Sequence, residues 1–503
     1  MVLEKLKEAA SLNGKKPAFC VNGKSITYDS LWVDSGKLAN SLERKMESYR
    51  GPLIVYGHKD PLMLTCFFAC VKSGRAYCPV DVSMPVERVR DIAEKVNAPY
   101  ILAAEELELK GQSIISPSDL REMIKGETGE IGEDCWVKPE DLFYIIFTSG
   151  STGTPKGVQI TYENLNNFVN WSMTLGTDPE QKKGKAFLNQ APFSFDLSVM
   201  DIYTCLCSGG TLWSIPKSVQ SNPEKLMECL AEGNINYWVS TPSFADICLA
   251  DKSFCSDIIP DMEAFLFCGE TLSLETAGRL RERFPNAKVI NTYGPTESTV
   301  AVTGVEITDE ILAENKALPV GRPKPGTYIK IIDSEGKSIG DGEKGEIMIC
   351  GDTVSTGYFK DKEKTDSLFS CSGEKSYRTG DEGYLSDGML YYCGRIDLQV
   401  KLHGYRIELG DIEANLVQLP EVIRAAVVPK RIDGKIKYLA GFVVCEGELP
   451  EDKKEAFARA AKIKEGLKKK LPDYMVPKKI VFRESLPVTD NGKTDRRKLE
   501  DML

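Results

Sequence analysis

The sequence predicts an α/β protein: a large N-terminal domain of layered α/β parts plus a β-rich part, followed by a small α+β C-terminal domain. Three observations carry this reading. Short apolar runs alternate with amphipathic segments through the first four hundred residues, the pattern of mostly buried strands covered by helices. From Tyr328 onward short strands lie between Gly and Asp turns. Near Asp397 both the pattern and the charge balance change, which puts the domains at 1–396 and 397–503.

Taken in order, the alternation is plain at 53–56, 62–72 and 77–80. An apolar strand over 142–147 runs into a loop, Val158-Gln159-Ile160 resumes strand-like alternation, and a helix starts with Thr161 as its cap. Segments 328–332, 345–349 and 389–392 read as the short strands of the β-rich part. Beyond Asp397 the pattern gives a helix over 408–419, strands over 425–429 and 439–445, and a long helix over 451–471 that carries Lys462, Lys464, Lys468, Lys469 and Lys470.

Composition narrows the function. With 503 residues, 42% hydrophobic and 27% charged, the chain has room for two or three domains with large cores. A net charge of −10 argues against a nucleic-acid partner, which wants a basic surface. The charge is uneven: 397–503 holds 22 Lys and Arg against 18 Asp and Glu, a balance of +4, so an acidic partner belongs at that end. Fifteen cysteines without a C-x-x-C pair, and only His58 and His403 as histidines, offer little to a zinc site and read as reduced thiols of a cytoplasmic protein. The charged start, 1–8, does not read as a signal peptide, and the apolar run 62–71 falls well short of the roughly 20 residues a membrane span needs.

The densest chemistry lies in 147–158, with three glycines, five hydroxyl side chains and Lys156 in twelve residues. Glycines let several N–H groups converge on one anion, hydroxyls add donors and the lysine adds charge, so the loop suits phosphate. It is not a Walker loop, because Pro155 precedes the lysine and a strand follows. A plain surface turn is the alternative, and the apolar strand feeding the loop argues against it.

Five further motifs follow in order: Phe195-Asp196; Asn291-Thr292-Tyr293-Gly294-Pro295-Thr296-Glu297; Tyr377-Arg378-Thr379-Gly380-Asp381; Gly394-Arg395-Ile396-Asp397 through Glu413; and Asn491-Gly492-Lys493. With the loop, this ordered set resembles the AMP-forming adenylating superfamily of acyl-CoA synthetases, luciferases and the adenylation domains of peptide synthetases. Segment 72–88 also looks like an amino-acid-activating member, and the resemblance is nearest to members that load D-alanine onto a carrier protein.

Activating a carboxylic acid with ATP needs a nucleotide site, a way to bring two anions together and an electrostatic sink at phosphorus. It needs no protein nucleophile, which suits a chain almost without histidine. The resemblance implies that Thr148, Ser149, Gly150, Ser151, Thr152, Thr154 and Lys156 meet the phosphates. It implies that Asn291, Thr292, Gly294 and Pro295 shape the nucleotide site, that Tyr293 stacks on adenine, that Thr296 donates to the α-phosphate, and that Glu297 holds Mg2+. Asp381 has two acceptor oxygens, enough to grip both ribose hydroxyls; Arg395, with Tyr392, Cys393 and Gly394, completes the ATP site. Lys493 is implied to swing in and bridge the substrate carboxylate to the α-phosphate, with Asp397 as hinge of a mobile C-terminal domain and Gly404 leaving passage for a thiol arm. Taken singly, Asp381 and Asn291 to Glu297 would pass as Gly-flanked turns, Arg395 as a surface ion pair and Lys493 as a solvated lysine; the ordered set favours the functional roles. His403 reads as structural.

Asp196 matches the aspartate that binds an α-ammonium in amino-acid-activating relatives. Met200, Leu266, Cys268, Thr292 and Val300, next to Gly269, leave room for little more than a methyl. The Cys268 sulfur would crowd one side of the α-carbon and so select the D-enantiomer, or it is an inert buried thiol. Asp366-Ser367-Leu368 has no room for a carrier domain around it, so the acceptor comes in trans. The expectation is a monomeric cytoplasmic ligase that converts D-alanine and MgATP to D-alanyl-adenylate and pyrophosphate. It would then load an acidic phosphopantetheinylated carrier protein for teichoic-acid D-alanylation. The nearest alternative is a stand-alone enzyme for glycine, L-alanine or L-serine. Asp196 disfavours an acyl-CoA synthetase; Lys493 and the complete phosphate loop disfavour a silent sensor.

Overall fold

Four-residue runs such as Leu53–Tyr56, Tyr77–Val80, Tyr237–Ser240 and Ala264–Phe267 are buried at every position. Such continuous burial is the mark of parallel strands covered on both faces. The computed structural model describes residues 1–150, 154–314, 316–370, 374–432, 435–488 and 494–503. The chain divides into two compact units, one of 1–81, 96–146 and 157–396, the other of 82–95, 147–156 and 397–503.

The first unit holds three sheets. The largest has nine strands, in the order Arg322–Pro323, Thr303–Glu306, Lys288–Tyr293, Ala264–Phe267, Tyr237–Ser240, Ala186–Asn189, Thr211–Ser214, Pro17–Val21 and Lys24–Thr27. Its six central strands pair in parallel and its edges antiparallel. A six-stranded sheet has Leu53–Tyr56 and Tyr77–Val80 at its centre. A five-stranded antiparallel sheet around Gly345–Gly351 and Ser376–Ser386 is the β-rich part foreseen from sequence.

Two helices are buried on nearly every side, Pro61–Lys72 and Leu197–Cys207, and apolar residues lie around both rather than along one stripe. Pro61–Lys72 starts cleanly because Asp60 accepts from the Leu62 N–H and Pro61 occupies the first turn. Each fully buried Leu or Phe on such a helix contributes about 1.5–3 kcal/mol. Phe67 adds a stacked contact with Tyr77 at 4.1 Å. Helix Tyr162–Ser172 is capped by Thr161 as expected, in a reciprocal box with Asn164.

Several elements differ in extent from the sequence reading. The helix expected over 408–419 is Leu409–Leu416, because Pro420 disfavours helix just before it. The strands expected over 425–429 and 439–445 are the longer Val422–Ile432 and Lys435–Cys445, an antiparallel hairpin whose charged ends hid it. The long helix is Lys453–Lys468, capped by Asp452. Tyr377 to Asp381 lie inside strand Ser376–Ser386, and Asn291 to Tyr293 end strand Lys288–Tyr293, so neither motif is wholly a turn. No helix among the described residues is long and apolar enough to cross a membrane. The fourteen described cysteines are free thiols.

Candidate active site

Antiparallel pairing sets Asp381 opposite Arg395, on strands Ser376–Ser386 and Met389–Arg395. The Arg395 guanidinium donates to Asp381 Oδ1 at 2.9 Å and the Tyr293 hydroxyl donates to Oδ2 at 2.6 Å. Asp381 is buried, so these charge-assisted bonds are made largely out of water. Each carboxylate oxygen keeps a second lone pair, which leaves capacity for two ribose hydroxyls. Burial, then the neighbouring Asp381, pushes the Tyr293 phenol well above its ordinary range, so it remains a donor. The Tyr293 ring lies 5.9 Å from that of Tyr392, tilted by 37°. Cys393 is exposed and takes no part in these bonds. Gly394 has φ +135 with nothing within 4 Å of where a side chain would start.

The motif after Tyr293 is held by its own backbone. A Cβ on Gly294 would stand 2.5 Å from Ala301 Cα, so only glycine fits. Pro295 leads into the turn Thr296–Ser298, and Thr299 and Val300 follow at φ +59 and +70. Two successive β-branched residues in the left-handed region store strain that the surroundings must over-determine. The Thr299 hydroxyl donates to Thr353 O at 2.8 Å, and Ala301 N to Thr299 O at 2.9 Å. Asn291 and Thr292 spend their side-chain donors on the carbonyls of Pro319 and Phe267, both at 2.8 Å.

Glu297 is fully buried and its Oε1 accepts from the Tyr358 hydroxyl at 2.7 Å. Tyr358 is placed there by pairing of 357–359 with the strand Lys156–Thr161. Among the described residues no three His, Cys, Asp or Glu side chains gather as a metal cage. Magnesium does not need one, since it is bound through one or two carboxylates plus phosphate oxygens and water. Glu297 fits that donor set.

Asp196 precedes helix Leu197–Cys207 without capping it, so its carboxylate is not tied to the helix N–H groups. It is buried and accepts from the Thr296 hydroxyl at 2.6 Å. Met200 lies one turn on, and with Leu266, Cys268 and Val300 it is almost fully buried. The Cys268 thiol reaches Val300 O at 3.6 Å, which joins two of the expected pocket residues directly. Gly269 follows at φ +92, where a side chain would be strained.

The phosphate-type loop belongs to the second unit. Ser149 Oγ donates to Arg406 O at 2.9 Å and accepts from Glu408 N at 3.1 Å. Lys156 lies 2.8 Å from Glu408 Oε1, which Gln399 also meets at 3.0 Å. The loop lysine is therefore in a buried ion pair with Glu408 rather than bare. Gly150 is obligatory, because a Cβ would fall 2.0 Å from Thr154 O. Thr148 Oγ1 is buried without a partner and Thr154 is exposed. The buried pair Arg88–Asp411 fastens 82–95 to helix Leu409–Leu416. His403 and Gly404, both at positive φ, make the tight turn between strands Gln399–Leu402 and Tyr405–Glu408, which gives His403 the structural role read from sequence. Asp397 accepts from Gln399 N at 3.0 Å. Ser151, Thr152, Lys493 and its neighbours Asn491 and Gly492 lie outside the described residues. Of the lysines expected on the long helix, Lys462 pairs with Glu421 and Lys468 with Asp473, Lys464 donates to Lys478 O, and Lys470, past the helix end, donates to Gln418.

Tyr358, Thr353 and Glu408 enter these networks without having been singled out in the sequence. Only long-range pairing brings them in, and no local pattern announces it.

The model of the AMP-binding enzyme family matches residues 6–359, and that of the AMP-binding enzyme C-terminal domain matches 411–493. A D-alanine–D-alanyl carrier protein ligase of Bacillus licheniformis is 45% identical over 502 residues, covering 99% of each chain. Holo-PA1221, an NRPS protein containing adenylation and PCP domains bound to a vinylsulfonamide inhibitor, superposes with TM-score 0.83 at 26% identity, covering 100% of this chain and 84% of that one. The Vibrio cholerae adenylation domain AlmE, in complex with glycyl-adenosine-5'-phosphate, has the same fold, with TM-score 0.80 at 23% identity and coverage of 100% and 97%. The buried Asp381 and Asp196 networks, the glycine-bearing loop and these matches agree: the chain belongs to the AMP-binding enzyme family.

Proposed function

We propose that this chain activates D-alanine with ATP, forming D-alanyl-adenylate and pyrophosphate, and passes the D-alanyl group to the phosphopantetheine thiol of a separate carrier protein. The observation that carries this is 45% identity across 99% of both chains to a ligase named for that activity. The buried carboxylate of Asp196 and the buried apolar side chains of Met200, Leu266, Cys268 and Val300 support it, because an α-ammonium and a methyl are what those residue types suit.

In this reading Asp196 holds the ammonium, and Met200, Leu266, Cys268, Gly269 and Val300 close around the methyl. Asp381, set by Arg395 and Tyr293, grips the ribose, and Thr296 donates to the α-phosphate. Ser149 and Lys156 meet the remaining phosphates. The substrate carboxylate attacks the α-phosphorus, a C–O–P anhydride forms and pyrophosphate leaves; the carrier thiol then displaces AMP from the carbonyl. Lys493 bridges the two anions in the first step, and a compact ammonium suits that task. Glu297 would hold magnesium, which when bound neutralises phosphate charge. Asp397 acts as the hinge between the two half-reactions and Gly404 leaves space for the thiol arm. An acidic carrier, a monomeric enzyme, a cytoplasmic location and teichoic-acid D-alanylation complete the proposal; the free cysteines fit a reducing compartment.

The test is amino-acid-dependent pyrophosphate exchange with D-alanine, L-alanine, glycine and L-serine. D-alanine should give the highest kcat/KM. Preference for another of the four would replace D-alanine in this reading.

A further inference from the structure

Thr296 has one hydroxyl proton, and in the structure that proton goes to Asp196 Oδ2 at 2.6 Å. Both groups are more than nine-tenths buried, so water does not substitute freely for either partner. The backbone around Thr296 has little freedom: Gly294 is pressed against Ala301, and Thr299 and Val300 hold left-handed conformations. What can move is the hydroxyl itself.

We infer that Thr296 is a positioning residue that couples the amino-acid and nucleotide subsites through this single proton. The inference rests on the proposed roles of Asp196 toward an ammonium and of Thr296 toward a phosphate. With no substrate ammonium bound, the Asp196 carboxylate holds the proton and a phosphate oxygen must compete for it. When a substrate ammonium shares that carboxylate, the Thr296 hydroxyl turns to the phosphate. The reverse also holds: a phosphate that takes the proton leaves Asp196 in greater need of the ammonium. Coupling of this kind is reciprocal by thermodynamic necessity. A hydrogen bond to a charged acceptor limits its size to about tenfold in affinity, or somewhat more. Without the hydroxyl, the carboxylate of the amino acid and the phosphate would only repel each other.

The experiment is calorimetric titration of the full chain with α,β-methylene-ATP and magnesium, with and without saturating D-alanine, and of D-alanine with and without the analogue. In the wild type each ligand should tighten the other by about tenfold, by the same factor in both directions. Thr296→Ser should keep that factor. Thr296→Val should bring it to one or below, and Thr296→Ala, which also lacks the hydroxyl, serves if valine crowds the turn. A wild-type factor of one, or a tenfold factor that survives loss of the hydroxyl, overturns the inference. Asp196→Asn separates the two levels. If that variant binds D-alanine as tightly as the wild type, the ammonium reading itself fails. If it loses D-alanine while the hydroxyl-free variants keep their coupling, only the coupling fails.

Discussion

Lys59 and Asp381 are both buried charged residues of the first unit, and they are held in opposite ways. Lys59 Nζ donates to three main-chain carbonyls, those of Asn189, Gln190 and Ile215, at 3.0, 2.7 and 2.9 Å. Lys182 does the same with Met173, Leu175 and Thr177. The carbonyls around Lys59 lie at the ends of strands and those around Lys182 just past helix Tyr162–Ser172. Main-chain oxygens held in this way cannot turn away, so these side chains are fixed parts of the scaffold. Asp381, Asp196 and Glu297 instead bond side-chain donors: Tyr293 and Arg395, Thr296, and Tyr358. A side-chain donor can rotate or share, and a carboxylate oxygen can accept more than one hydrogen bond. For these five residues we propose that charge held on backbone marks structure and that charge held on side chains marks the place where a ligand enters.

The largest effect that tests this contrast is at Asp381. Asp381→Ala should lower kcat/KM for ATP by about a hundredfold to a thousandfold in pyrophosphate exchange, the loss of two hydrogen bonds to a charged acceptor. Lys59→Met should do the converse. It leaves three buried carbonyls without a donor and should lower unfolding free energy by about 3 kcal/mol in urea titration, while the KM of the folded fraction stays the same. A Lys59→Met enzyme with altered KM and unchanged stability would erase the distinction.

How much of this was legible in the sequence divides along the same line. Asp196, Thr296, Glu297 and Asp381 stand in short motifs whose residue types the chemistry demands, and the structure brings Asp196 to Thr296 and Asp381 to Arg395. The α/β class was legible because buried parallel strands are continuous apolar runs. What could not be read is long-range. Thr379 and Gly380 look like turn residues, yet they lie inside strand Ser376–Ser386, at an irregularity in its pairing with Gly345–Gly351. Tyr358 stands 61 residues from the Glu297 it bonds. Neither the grouping of 82–95 and 147–156 with 397–503 nor the Lys156–Glu408 pair has a local signal.

Cys268 tests whether an apolar wall can act as sharply as these polar groups. Its thiol is fixed on Val300 O at 3.6 Å, so the sulfur has a defined position. Under the proposed substrate pose, ammonium and carboxylate are anchored, and the methyl and hydrogen share the remaining directions. Cys268→Ala should raise L-alanine activity relative to D-alanine by roughly tenfold to two-hundredfold, the scale of one methyl-sized steric contact. A mutant that keeps its full D-over-L ratio in pyrophosphate exchange makes Cys268 ordinary core.

The smallest expected effect is at Tyr358, and it is the most discriminating because the group removed is one hydroxyl. The Tyr358 ring packs edge-on to Phe369 at 5.5 Å, so Tyr358→Phe keeps the packing and deletes only the donor to Glu297. If Glu297 were scaffold like Lys59, the change would appear as lost stability of about 1 kcal/mol and nothing more. If the Tyr358 hydroxyl aims Glu297 at a metal, the magnesium concentration for half-maximal exchange should rise about tenfold. At saturating magnesium kcat should return to within about twofold of wild type, since the substrate-facing groups are untouched. Direct titration with Mn2+ in the presence of α,β-methylene-ATP, followed by electron paramagnetic resonance, should show the same weakening without any turnover. An unchanged metal dependence would move Glu297 from the exchangeable set of buried charges to the fixed one, and the contrast would then have to stand on Asp196 and Asp381 alone.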